Sequence, residues 1–142
     1  MKWGRVQKLT EALLAGDGVL IQDAEGRIAL LQYAYEEIAN LTEVLSLETT
    51  DATVDKVRES VNGTVIRRPG IPTDNNDELQ VDEGLCFVVA RLIASYISRE
   101  KYGLHRKQAL DMIEVYNRKV YSYRDGHATS YFGNEKTFIP EG

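Results

Sequence analysis

The chain reads as mainly α: a small helical bundle with a short antiparallel β element and an extended C-terminal arm. Three observations predict this. Leu85, Val88, Val89, Leu92, Ile93, Tyr96 and Ile97 recur at three- and four-residue spacing, the mark of a helix face. Two further segments, about 2–15 and 23–41, carry the same period on one side. Between them and the first segment lies a β-branched region broken by Asn62-Gly63, a hairpin signal. Residues 1–126 are expected to form the helical domain, with the β element around 43–68, and residues 127–142 the arm.

In order along the chain, Trp3, Val6, Leu9 and Leu13 predict a short amphipathic helix, stopped by the Gly16-Asp17-Gly18 turn. Val19, Leu20 and Ile21 make a linking piece. Asp23 then offers an N-cap to a helix that reaches about Leu41, with Ile28, Leu31, Tyr35, Ile38 and Leu41 on its inner face. Val44, Leu45 and Leu47 alternate in part with polar residues and lead into Thr49-Thr50, which predicts a short strand. In the stretch 51–61, Val54, Val57 and Val61 have helical spacing, but valines and threonines make it a weak helix. Thr64-Val65-Ile66 reads as a strand that pairs with the first.

The stretch from Arg67 to Lys101 organises the rest. Pro69 and Pro72 hold Arg68 and Ile71 extended, so helix is excluded there. Thr73 to Glu78 is an all-polar run of turn-forming residues, expected as an exposed loop. Asp82 is placed to cap a helix starting near residue 83, and Glu83 in its first turn suits the positive helix end. Cys86, Phe87, Ala90 and Ala94 widen its apolar surface beyond one stripe, so other helices should surround it. Tyr102-Gly103 is read as a short break. An antiparallel helix follows from about His105 to Tyr123, with Ala109, Met112, Ile113, Tyr116 and Val120 on one face.

Chemistry is sparse. A chain of 142 residues with net charge −5 has one core and no general basic face for gripping nucleic acid. No segment near residue 1 resembles a signal peptide, and none approaches the roughly 18 apolar residues of a membrane span, so synthesis in the cytosol is expected. The single cysteine, Cys86, excludes a disulfide framework and reads as a small buried apolar residue. Asp74, Asn76 and Glu78 imitate the first half of a calcium loop. The match fails where Leu79 replaces the turn glycine and Leu85 the bidentate glutamate. The two histidines, His105 and His127, are too dispersed for a metal set, and His105 is expected to be solvated. No phosphate loop or nucleophile elbow is present, so neither catalysis nor a cofactor is expected.

What remains is charge and the arm. Arg99, Lys101, Arg106 and Lys107 gather around the last interhelical turn, while Asp74, Asp77 and Glu78 gather in the acidic loop. Such a surface either is merely solvated or joins opposite faces of neighbouring copies in a ring. In the arm, Tyr131-Phe132 and Phe138-Ile139 are apolar pairs spaced along an aperiodic stretch, a pattern that orders on a partner.

The order of parts resembles the head-tail adaptor proteins of tailed bacteriophages, the connector or head-completion proteins that dock beneath the portal. The features that carry the resemblance are two N-terminal helices, a short strand before Thr49-Thr50, VIRRPGIP, an acidic loop, ELQVDEGLCFVVARLIASYISREK and a final helix with EVYN. From the strand to EVYN, the pattern covers about residues 43–121. The resemblance implies a homo-oligomeric ring, usually a dodecamer, located at the virion neck. Such a ring binds the portal protein above and a downstream tail or neck protein below, and DNA passes through without sequence-specific contact. The arm residues Tyr131, Phe132, Phe138 and Ile139 would reach onto the portal. No catalytic residue is implied. The other reading of the same chain is a non-enzymatic interaction module, a tail-completion component or small regulator, that binds through its C-terminal tail.

Overall fold

The computed structural model describes residues 1–124, so the expected partner-binding residues of the arm, Tyr131, Phe132, Phe138 and Ile139, lie outside the described residues. Four helices, α1 (Trp3–Leu14), α2 (Ala24–Leu41), α3 (Glu83–Ile97) and α4 (Tyr102–Arg124), surround one core. Three short strands, β1 (Glu48–Thr49), β2 (Lys56–Glu59) and β3 (Val65–Arg67), form a small sheet at its side. The mainly α fold with a short antiparallel element is as the sequence predicts.

α3 is the centre. Leu85, Val88, Val89, Leu92 and Ile93 are all essentially buried, and α1, α2 and α4 each pack on it. Cys86, Ala90 and Ala94 are buried too, as a helix enclosed on several sides requires. Thr10 illustrates how closely α1 approaches: its hydroxyl donates to Val6 O in its own helix at 2.9 Å and lies 3.5 Å from Ala90 O of α3. In α2 the buried face is Leu31, Ala34, Tyr35 and Ile38, whereas Leu41, placed on that face by the period, is exposed where the helix ends. Asp23 caps α2 by accepting from Gly26 N at 3.2 Å.

The acidic loop is not free. Its carbonyls satisfy the open amides of α1: Trp3 N donates to Asp77 O and Gly4 N to Asn75 O, both at 2.9 Å. The Pro-Gly strap ahead of it is tied down by Gln80, whose side-chain oxygen accepts from Gly70 N at 2.8 Å and from Arg67 at 3.0 Å.

The β region departs from expectation in two places. Leu45–Leu47 is a 3-10 turn rather than strand, and only Glu48–Thr49 pairs. Leu47 is buried by that turn, and alternation across a strand would not have turned both Val44 and Leu47 inward. The valine-spaced stretch is strand, not weak helix, at Lys56–Glu59. β3 lies in the middle, antiparallel to β1 (Glu48 opposite Ile66) and to β2 (Arg58 opposite Ile66). The Asn62-Gly63 turn closes the β2–β3 hairpin, with Gly63 at φ 86° and Ser60 N donating to Thr64 O at 2.8 Å. Strand also serves Arg58, which donates to Ala39 O at 2.6 Å and to the buried Glu43 carboxylate. Long-range pairing therefore overrides a poor helical propensity.

α4 begins at Tyr102, three residues before the predicted start, because the break lies earlier, at Ser98–Lys101. Tyr102 and Gly103 are its first turn. His105 is buried rather than solvated: starting the helix early turns it inward against Arg91 of α3.

Candidate interaction surface

The expected charge clusters serve mostly to hold this chain together. Arg106 of α4 forms a two-pronged pair with Glu37 of α2, at 3.0 and 2.6 Å, and the Tyr96 hydroxyl donates to the same carboxylate. Beside that guanidinium, the Glu37 carboxyl is held below the usual carboxylate range. Lys107 pairs with Asp111 one turn on, at 3.0 Å and in the open. Arg99 and Lys101 differ, because their side chains form no ion pair among the described residues.

The acids divide in the same way. Asp77 accepts from Thr73 N at 2.6 Å and from the Thr73 hydroxyl at 2.7 Å, which lowers its pKa. Asp74 accepts from Asn76 N at 2.7 Å, and Glu78 lies 2.8 Å from the Met1 amine. These are loop-shaping contacts. The structure does not bring the four bases together with the three acids, although Asp74 borders a recess of about 250 Å3 beside Trp3 and Arg27.

Asp17 is the functional-looking residue that sequence reasoning passed over. Its carboxylate accepts from the Ser98 hydroxyl and from Arg99 N, Glu100 N and Lys101 N, each amide at 3.2 Å. Those amides are the free donors ahead of α4, and the contacts hold the Asp17 pKa down, the Ser98 bond first. A lone aspartate between two glycines was the available signal.

Cys86 and His105 are both turned inward. Burial pushes the Cys86 thiol up, and its sulfur lies 3.9 Å from Val81 O. Burial lowers the His105 pKa, and its Nδ1 faces Arg91 Nη1 at 3.5 Å instead of a carboxylate. Among the described residues there is no group of three His, Cys, Asp or Glu placed to hold a metal. Among the same residues no helix is long and apolar enough to cross a membrane.

An apolar groove of about 380 Å3 lies between α3 and α4, lined by Gly84, Phe87, Met112, Val115 and Tyr116 and rimmed by Asp111 and Lys119. Phe87 was expected to add to the buried surface of α3. It is instead 43% exposed, and its neighbour Val115 45%. An open apolar groove between two rigid helices is suited to receiving side chains of another protein.

No family model, no curated protein and no solved structure matches the chain.

Proposed function

We propose that this chain is a structural adaptor of a tailed-phage virion. It assembles as a ring, twelvefold as in the family it resembles, beneath the portal at the neck. The ring extends the DNA channel and offers a platform to the next tail protein, and the C-terminal arm, through Tyr131, Phe132, Phe138 and Ile139, attaches it to the portal.

The reading is supported by what the resembling stretch does within the fold. Arg67 and Gly70 are tied to Gln80, Arg68 to Asp55 and Glu36, and Asp82 to Tyr116. These polar side chains of the resembling stretch are thus committed to holding the fold. That is the observation that carries the proposal: such a motif suits a building block, whereas an enzyme would spend some of these groups on a pocket. Arg99 and Lys101, which form no ion pair among the described residues, and the open groove give it surfaces to offer neighbours.

The test is to mix the purified protein with portal rings and image the product by electron microscopy. The proposal expects a second ring stacked coaxially on the portal. Free portal with unbound, unassembled adaptor at micromolar concentrations of both would sink it.

A further inference from the structure

The core helix carries an apolar feature at each end. At its N-terminal end lies the Phe87–Val115 groove. At its C-terminal end lies the α1–α2 link, where Val19 and Ile21 are 71% and 41% exposed while Leu20 between them is buried. The alternation makes Leu20 an anchor and leaves its two neighbours as an outward knob.

That knob is held in place. Asp17 is clasped by Ser98 and the amides that follow it, and Gly18 sits so close to α3 that a Cβ there would come within 2.9 Å of Ile97 O. Gly18 also has φ +119°, so the tight approach is open to glycine alone. Phe87 and Ile97 are ten residues apart, which puts about 15 Å of helix axis between groove and knob. The chain cannot fill its own groove with a knob fixed at the far end of the same helix. A second copy can, and since the two surfaces differ, the contact repeats head to tail.

Charge supports that occupant. The knob end carries Arg99 and Lys101 without ion pairs among the described residues, with the exposed Glu100 between them; beside the groove, Asp111 is already paired with Lys107, and the exposed Glu114, next to Val115, is the acid left for a neighbour. Lys119 on the groove rim has its counterpart in Glu25, at the start of α2 beside the knob.

We propose that Val19 and Ile21 of one copy insert into the Phe87–Val115 groove of the next, with Arg99 and Lys101 facing its Glu114. This rests on the ring reading and names the contact that builds the ring.

A complementation experiment on the full chain tests it. Val19→Asp leaves the groove intact and Val115→Asp leaves the knob intact, and both positions are exposed. In sedimentation, wild type should assemble, whereas each variant alone should be monomeric, with association weakened about tenfold or more by a carboxylate in an apolar contact. An equimolar mixture of the two should form a dimer that grows no further. As a second measurement, Val19→Cys and Val115→Cys chains should form a disulfide with one another on mild oxidation, and neither should with itself; Cys86 is buried and common to both. Wild type that assembles while the aspartate variants assemble equally well overturns this contact and leaves the ring standing. A Val115→Cys chain that cross-links to itself overturns the head-to-tail arrangement. Wild type that stays monomeric, with no cross-link in the mixture, overturns both the contact and the ring.

Discussion

The Tyr116 hydroxyl of α4 donates to the Asp82 carboxylate at the start of α3. The aspartate that was expected to cap its own helix makes no side-chain cap bond, and joins two helices instead. Burial and this bond raise the Tyr116 pKa. Removing either partner, by Tyr116→Phe or Asp82→Ala, is expected to cost about 1–2 kcal/mol, the worth of a hydrogen bond to a charged group. The double variant should cost little more than either single one. Additive losses in urea melts would mean that the two residues act separately, Asp82 through the helix end alone.

Leu92 is fully buried in the centre of α3. Leu92→Ala should leave a cavity costing roughly 2–5 kcal/mol, more than either change at the Tyr116–Asp82 bond. Equal midpoints for Leu92→Ala and Tyr116→Phe would contradict the central place of α3.

His105 gives a pH dependence of definite sign. Its folded pKa lies below the ordinary value of 6.5, with burial first and Arg91 second among the causes. The unfolded chain therefore takes up the proton first, and stability falls as pH drops below about 6.5. His105→Gln should flatten the stability profile between about pH 6.5 and 5. If the variant and the wild type lose stability in parallel there, another group is responsible.

Glu37 acts further down the scale. Arg106 depresses its pKa, so the stability it contributes is complete above the usual glutamate range and disappears as pH falls through the lowered value. Arg106→Leu should weaken the fold at neutral pH and make the acid limb of the profile shallower. An unchanged acid limb would assign that slope to other carboxylates.

Deleting residues 127–142 should leave the melting temperature unchanged and abolish, or greatly weaken, attachment to portal rings. A truncated protein that unfolds, or one that still docks normally, would show the arm to have been misread.

Periodicity made the helices legible because burial on one side repeats with the helix turn, and all four appear within a few residues of their expected positions. The hidden parts were those decided by distant residues. Nothing near Val57 announces that Arg58 must reach Ala39 O and Glu43, which is what makes that stretch a strand. Asp82 is a sound cap by local chemistry, and only the arrival of Tyr116, 34 residues later, redirects it. His105 reads as exposed from a helix start at residue 105, and the start at Tyr102 is what turns it inward. The charges at the last turn were legible as a group, but their division into Arg106, already paired, and Arg99 and Lys101, still open, depends on where α2 lies. The groove was invisible because Phe87 has the same composition signal whether a neighbour covers it or not.

The sequence separation that the Asp17 clasp spans carries an expectation for the order of folding. Asp17 and Ser98 are 81 residues apart, and Trp3 is bound by Asp77, so α1 is held almost wholly by partners made long after it. The α3–α4 hairpin, joined across four residues, is expected to close early, whereas α1, which must close a very long loop, is expected to dock last. On the ribosome, where roughly 5–20 residues are added each second, α1 emerges several seconds before the surface that will cover it. Trp3 is the chain's only tryptophan and is buried by that docking, so its fluorescence should change in the slowest refolding phase, after the helical signal of α3 and α4 has formed.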